Sequence, residues 1–292
     1  MKHFYFKINN ENFNIWYLKG PKGAPVFHWA HANGFNAPIY ENLLRKLSQF
    51  CHVYAWDARA HGLSSKLKLP AEKNIYKQYV QDFVRLINLL YDRHTRPIIV
   101  AGHSFGATVS IKAEAQLRGK ISKLILADPV LFTPLAAKVS QVFRIFKFKN
   151  PKAIYLAENA ARRQNMWISK DEAFSHLSQK RLFKNWDSTS MNNYIKYGLT
   201  SSTEYVKLSC PPSIESLIFK ESETQFLSKE ITDLSVDTYI YLASKDSPAF
   251  AKTALQKSRK IKSLVTLKST NHLFPIEKYE EFSKHIIKHI KL

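Results

Sequence analysis

Apolar and polar positions follow two different periods over the first 130 residues of the chain. Alternating or clustered apolar residues predict six strands, and apolar residues spaced three and four apart predict three helices between them. The strands are FYFKI, NIWYLK, APVFHWAH, CHVYAWD, PIIVAGH and SKLILADP, and the helices are IYENLLRKLSQF, YKQYVQDFVRLINLLYDR and FGATVSIKAEAQLR. Strands that are separated by helices of this length imply a mostly parallel sheet with helices on both faces.

The pattern changes after about residue 131. From 132 to 232 it is helical only and rich in aromatic and basic residues, and then VDTYIYLAS, SLVTLKS and EKYEEFSKHIIKHI add two strands and a closing helix. The chain is therefore predicted to form an α/β core with an eight-stranded sheet from residues 1–131 and 233–292. Residues 132–232 are predicted to form an inserted helical cap over the ligand-binding edge of that sheet.

Composition narrows the class of protein. With 45% hydrophobic and 13% aromatic residues, the chain can bury a core, which argues against disorder. The alternating N-terminus lacks the pattern of a signal peptide, and no apolar run is long enough for a transmembrane helix. We therefore expect a cytoplasmic protein without stable membrane insertion. The two cysteines, Cys51 and Cys210, lie far apart and predict neither a disulfide framework nor a zinc site.

The formal charge of +21 raises the question of a nucleic-acid partner. The excess of lysine is spread along most of the chain, and no RNA-binding signature accompanies it. The densest basic run, Lys252 to Lys262, is better explained as a solvated helix face than as a phosphate-binding helix. We expect no nucleic-acid partner, while weak attraction to anionic surfaces or substrates stays open.

The segment from Gly102 to Gly106, GHSFG, fits the nucleophile-elbow pattern G-x-S-x-G. A buried strand precedes it and a helix follows, so Ser104 is predicted on a strained turn at the carboxyl edge of the sheet. Larger side chains at 102 and 106 would collide with the strand and the helix. The backbone N–H of Phe105 would face an oxyanion from the helix N-terminus. The alternative is a plain helix start with Ser104 as its cap.

A nucleophilic serine needs a base, and the base needs a carboxylate to orient it. Of the eleven histidines, four follow Ser104, and three of those fall in the predicted cap or on the last helix. His272 remains, in the loop between the last strand and the last helix. Asp246 and Asp128 are the candidate carboxylates, because each follows a predicted strand at the same edge of the sheet; Asp246 is favoured.

The loop after the third strand, His31 to Phe35, would supply the second oxyanion donor, for which we choose the backbone N–H of Asn33. The alternative for these residues is an ordinary Asn-Gly turn. His31 is expected to stabilise the loop rather than act as a base. His31, Phe35 and Trp167 are nevertheless our candidate substrate contacts, although the cap aromatics, Trp167 among them, could instead form the cap's own core.

Together these motifs resemble the α/β-hydrolase superfamily, over roughly residues 25 to 130 and 236 to 290. HANGF resembles the oxyanion loop of this superfamily, with Ala32 where the family has a glycine. The segment from Asp57 to Ser64 resembles its D-x-R-G-H-G-x-S loop, with Ala60 where the family has a glycine. The resemblance implies that the second segment holds loops together. Epoxide hydrolases and haloalkane dehalogenases of this fold use an aspartate nucleophile, so Ser104 argues against both. The cap runs ENAARRQNMW, RLFKNWD and NYIKYGL resemble a lipase- or esterase-like subgroup.

The combined expectation is a serine hydrolase that cleaves carboxylic esters of small or medium apolar acyl or aromatic groups. It needs no metal or other cofactor, and its partner is a small-molecule ester; the oligomeric state stays open. The same triad could instead serve thioester, lactone or carbon–carbon bond hydrolysis. A binding protein of the same fold without catalysis is a further alternative, against which the complete set of Ser, Asp and His argues.

Overall fold

A computed structural model describes residues 1–64, 66, 74–130, 151–222, 227–249, 255 and 258–291. An eight-stranded sheet with the strand order β1-β2-β4-β3-β5-β6-β10-β11 forms the core. Its strands are β1 (Lys2–Ile8), β2 (Glu11–Leu18), β3 (Val26–Ala30), β4 (His52–Trp56), β5 (Ile98–His103), β6 (Ile121–Ala127), β10 (Asp237–Ala243) and β11 (Ile261–Leu267). β2 runs antiparallel to β1 and β4, and all the other neighbours are parallel.

Helices connect the strands, and several more lie in the described part of the segment between β6 and β10. They are α1 (Glu41–Leu47), α2 (Ile75–His94), α3 (Phe105–Glu114), α4 (Pro151–Arg162), α5 (Lys170–Ser178), α6 (Ser188–Tyr197), α7 (Pro212–Ser222), α8 (Ser228–Thr232), α9 (Phe274–Glu277) and α10 (Tyr279–Lys291). Short 3-10 helices lie at Ala37–Tyr40, Gly62–Ser64 and Arg181–Phe183. Over the described part of the chain, no helix has both the length and the apolar character needed to cross a membrane.

Both faces of the sheet are covered, as the near-continuous apolar runs of its strands predict. Along β5, Ile98 and Val100 join the hydrophobic cluster under α2 and α3, whereas Ile99 and Ala101 join the cluster under α1 and α10. Alternate residues of one strand therefore enter two separate cores. The predicted α/β fold, with a mostly parallel eight-stranded sheet and helices on both faces, is confirmed.

The segment between β6 and β10 differs from the helical-only expectation. It contains a small antiparallel sheet with the order β7-β9-β8, built from β7 (Met166–Trp167), β8 (Leu199–Ser201) and β9 (Val206–Leu208). Strands of two or three residues are too short to show a period of two, so the sequence pattern could not predict them. Residues 131–150, which include the predicted start of the cap at residue 132, lie outside the described residues. The basic run at 252–262 lies partly outside them.

The carboxylate of Asp57 holds the loop at residues 57–64 to the core. It is fully buried and accepts four hydrogen bonds of 2.9 to 3.0 Å, from Ala37 N, Asn14 Nδ2, Trp16 Nε1 and Leu63 N. Gly62 has a φ of +49°, and a Cβ at this position would lie 2.5 Å from the Asp57 carboxylate. Side-chain size and backbone conformation therefore both require glycine here. The loop-holding role that the family resemblance implied is confirmed.

His28 is a buried histidine without polar partners. It lies on β3 with its ring 5.2 Å from that of Phe83 and 6.4 Å from that of Trp56, and neither ring nitrogen has a partner among the described residues. Burial lowers the pKa of His28 to about 3. The folded protein therefore holds this imidazole neutral, whereas the unfolded chain protonates it near its ordinary pKa.

This difference predicts a loss of stability in acid. As the pH falls from about 6.5 towards 3, the unfolded state binds one more proton at His28 than the folded state does, so the free energy of unfolding decreases. His28→Leu removes the titrating group. The decrease in the free energy of unfolding from pH 7 to pH 4.5 should therefore be smaller in this variant by roughly 2–3 kcal/mol, since one pKa unit corresponds to about 1.4 kcal/mol. Urea unfolding at both pH values measures it. His3→Gln, on the exposed edge strand β1, is the control, and an unchanged pH dependence in His28→Leu would contradict the prediction.

Candidate active site

Ser104 occupies a strained turn between β5 and α3. Its φ is 53° and its ψ is −114°, in the left-handed half of the map that residues with a Cβ rarely adopt. A Cβ at position 102 would lie 2.7 Å from Ala107 N, and one at 106 would lie 2.4 Å from Ala30 O. The sharp turn and the need for small neighbours, both predicted from the sequence, are thus present in the backbone.

Two backbone N–H groups are available near the elbow. Phe105 is the first residue of α3, where helix geometry leaves the N–H without an intrahelical partner. In the loop at residues 31–35, called the oxyanion loop below after its predicted role, Asn33 follows the end of β3. The N–H groups of Phe105 and Asn33 donate to no acceptor within the ranges that the structure describes. Because Gly106 packs directly on the carbonyls of Ala30 and His31, the oxyanion loop starts beside the elbow.

His272 and Asp128 form a hydrogen-bonded pair at the same edge of the sheet. His272 Nδ1 donates to Asp128 Oδ2 at 2.6 Å, and the carboxylate is fully buried while the imidazole is 28% exposed. The other oxygen, Asp128 Oδ1, accepts from Ala243 N at 3.2 Å and Ser247 Oγ at 2.5 Å. A carboxylate that is fixed on both oxygens can orient an imidazole and stabilise its charged form, as a general base requires.

A short chain of hydrogen bonds connects the two loops around the elbow. Ala32 N donates to Tyr40 Oη at 3.2 Å, and this hydroxyl donates to His103 Nδ1 at 2.8 Å. His103 Nε2 in turn donates to the backbone oxygen of His272 at 2.8 Å. Burial, with the charge of His272 acting in the same direction, lowers the pKa of His103 far below its ordinary value. His103 is therefore neutral, which this donor-and-acceptor arrangement requires; its position inside the elbow motif gave no signal of the role.

The prediction that Asp246 orients His272 is wrong. Asp246 is exposed, lies three residues beyond the end of β10, and takes a φ of +58° in the turn. The adjacent Ser247, rather than Asp246, points back to the pair and donates to Asp128. Both candidates follow a strand at the correct edge, and the sequence does not show how far each loop extends beyond that edge.

The three candidate substrate contacts are engaged elsewhere. His31 is fully buried, with Nδ1 donating to Ala32 O at 2.7 Å and Nε2 accepting from Ala58 N at 2.9 Å, so it stabilises the loop instead of facing a ligand. Phe35 packs against the rings of Trp186 and Tyr194. Trp167 is buried in the segment between β6 and β10, where its Nε1 donates to His176 Nδ1 at 3.1 Å. For Trp167 this agrees with the alternative that the aromatics of residues 132–232 pack among themselves, whereas Phe35 packs against that segment from the loop after β3.

The chain resembles known proteins both in sequence and in fold. A sequence model of the alpha/beta hydrolase family matches residues 26–285. The chain is 31% identical over 146 residues to a 2-(acetamidomethylene)succinate hydrolase of Mesorhizobium japonicum, covering 47% of this chain and 49% of that protein. A crystal structure of an E-2-(acetamidomethylene)succinate hydrolase superposes with a TM-score of 0.79 at 19% identity, over 100% of this chain and 99% of the other.

A second sequence relative is named as a lipase. The chain is 27% identical over 127 residues to a monoglyceride lipase of Rattus norvegicus, covering 42% of this chain and 41% of the lipase. The chain thus spans less than half the length of each of these two sequence relatives. The likeness to the solved structure shows the shared fold.

The hydrogen bond between His272 and Asp128 predicts which carboxylate controls the reactivity of Ser104. Asp128→Asn should reduce the rate at which a fluorophosphonate labels Ser104 by up to about 10⁴-fold, because the imidazole loses its orientation and its stabilising charge. Asp246→Asn, the matched control in an exposed loop, should label within about twofold of the unmodified protein. Labelling rates under pseudo-first-order conditions measure both, and a larger loss in Asp246→Asn would contradict the assignment.

Proposed function

The chain belongs to the alpha/beta hydrolase family, and from this premise we propose that it is a cofactor-independent serine hydrolase that cleaves carboxylic esters. The observation that carries the proposal is the strained Ser104 turn beside the hydrogen-bonded pair of His272 and Asp128, at the carboxyl edge of the sheet. A serine, an imidazole and a buried carboxylate in this arrangement are the components of acyl transfer.

In the proposed reaction, Ser104 Oγ attacks the ester carbonyl while His272 Nε2 accepts the hydroxyl proton. The resulting imidazolium is stabilised by Asp128, and the oxyanion is held by the N–H groups of Phe105 and Asn33. His272 then protonates the leaving alkoxide, which leaves an acyl-enzyme on Ser104. Water activated by His272 attacks this ester and releases the acid, so that the free enzyme is restored.

For the substrate we propose an ester of a small or medium apolar acyl or aromatic acid, which suits a cap built around aromatic side chains. The name of the rat relative, a monoglyceride lipase, supports ester cleavage. A second candidate is a small anionic substrate, because the relative from Mesorhizobium acts by its name on a succinate derivative and this chain has a formal charge of +21. A substrate panel that includes anionic esters separates the two.

Replacing the nucleophile tests the reaction itself. Ser104→Ala should lower kcat for p-nitrophenyl butyrate by at least about 10³-fold with a near-unchanged melting temperature, because the covalent step is lost while the fold remains. Ser110→Ala is the control and should retain full activity, since among the described residues its Oγ bonds only to Gly106 O of its own helix, at 2.8 Å. Undiminished hydrolysis by Ser104→Ala would exclude the proposed mechanism.

The chain-length dependence of hydrolysis tests the substrate class. Each acyl methylene that enters an apolar pocket contributes about 0.8 kcal/mol, so kcat/KM should rise by about fourfold per methylene from acetate towards medium-length esters. A series of p-nitrophenyl esters, together with a hemisuccinate ester, measures this. A flat profile would contradict an apolar acyl pocket, and a clear preference for the hemisuccinate would favour the anionic substrate.

A further inference from the structure

An ion pair between the half-buried Arg163 and the buried Glu215 lies against the oxyanion loop and has no part in the proposed chemistry. Arg163 Nη1 donates to Glu215 Oε2 at 2.6 Å, and Arg163 Nη2 donates to Tyr194 Oη at 2.8 Å. Glu215 is 8% exposed. Burial raises the pKa of Glu215 above its ordinary value, and the guanidinium of Arg163 acts in the opposite direction. Removing either partner of such a pair leaves the other charge without compensation in a site with little access to water.

Glu215 contacts the oxyanion loop at two neighbouring residues. Asn33 Nδ2 donates to the backbone oxygen of Glu215 at 3.0 Å. The Glu215 carboxylate fills the space beside Gly34, where an added Cβ would lie 2.8 Å from Oε1. Gly34 has a φ of +74°, so its backbone also favours glycine. The carboxylate thus limits movement of the loop towards the cap, and the Asn33 side chain limits movement away from it.

The chain just before α7 secures the same loop from another direction. Gly34 N donates to His61 Nε2 at 3.1 Å, and the Cys210 thiol donates to the same nitrogen at 3.3 Å. His61 Nδ1 donates to Arg59 O at 2.8 Å, which leaves Nε2 as the acceptor for both. Burial lowers the pKa of His61 to about 4, so the ring is neutral near pH 7. Glu215 and His61, the latter bonded to Cys210, therefore both contact Gly34, one residue after the proposed oxyanion donor.

These contacts point to a function for the pair. The N–H of Asn33 stabilises an oxyanion only if it is held in one orientation before the reaction, and Asn33 and Gly34 are fixed by Glu215. We propose that Glu215, held in place by Arg163, is a positioning residue that sets the direction of the Asn33 N–H. This inference rests on the proposed function, because it concerns the rate of the acyl-transfer step.

Two substitutions interrupt the connection from opposite sides. Asn33→Ala removes the side-chain bond to the backbone oxygen of Glu215 and keeps the backbone N–H of residue 33. Asn33 Oδ1 has no hydrogen-bond partner within the described ranges, so the change leaves no donor unpaired there. Glu215→Ala removes the carboxylate that fills the space at Gly34. Glu158→Ala is the matched control, since Glu158 is a carboxylate on α4 that pairs with Arg162 at the exposed surface.

The readout is kcat per active site, with sites counted by fluorophosphonate titration, so that misfolded protein does not enter the rate. Asn33→Ala and Glu215→Ala should each lower kcat by about 10²-fold, the range for one displaced oxyanion donor, with KM within about threefold. The pH profile should keep its shape, because His272 and Asp128 are unaffected. Glu215→Gln preserves the volume against Gly34, so its kcat should lie within about tenfold of that of the unmodified enzyme. The control, Glu158→Ala, should have the kcat of the unmodified enzyme.

The inference is overturned if Asn33→Ala and Glu215→Ala both retain kcat within about twofold per titrated site. It is equally overturned if both raise KM at constant kcat, which would make the two residues substrate contacts. If Glu215→Ala yields too few titratable sites, the result for Asn33→Ala decides. An unmodified protein that neither reacts with the fluorophosphonate nor hydrolyses esters would instead refute the proposed function, and the inference would fall with it.

Discussion

The rest of the site depends on one close backbone contact, between the start of α3 and the end of β3. At Gly106 a single added carbon would lie 2.4 Å from Ala30 O, so α3 can begin where it does only if position 106 has no side chain. This contact fixes three things together: the strained conformation of Ser104, the direction of the Phe105 N–H and the point where the oxyanion loop leaves the sheet. The nucleophile elbow and the oxyanion loop therefore pack together as one structural unit.

Neutral, buried polar groups extend this unit outward. Tyr40 and His103 connect the oxyanion loop to the His272 loop, and His61 connects it to Cys210, in the segment between β6 and β10. Burial keeps the pKa of both His61 and His31 well below neutral, at about 4 and about 3, so each ring nitrogen has a fixed role as donor or acceptor near pH 7. Fixed hydrogen-bond roles suit the proposed reaction, in which the N–H donors must be held in place before charge develops on the substrate.

The sequence predicted what depends on local pattern. The long strands and helices, the elbow at Ser104 and the loop of His272 each carry a recognisable period or motif. The choice between Asp128 and Asp246 depended on how far each loop reaches beyond the sheet, which no local pattern records. The bond between Asn33 and Glu215 joins residues 182 positions apart, and the strands of the three-stranded sheet between β6 and β10 are too short to show a period. These features follow from tertiary packing alone.

The most direct test of the account is to locate the covalent adduct of a fluorophosphonate by peptide mass spectrometry. An activated serine reacts at neutral pH, whereas ordinary serine hydroxyls do not. The account predicts one equivalent of label per chain, located on Ser104. Absence of labelling in folded protein, or an adduct on any other residue, would contradict the claim that Ser104 is the nucleophile of a serine hydrolase.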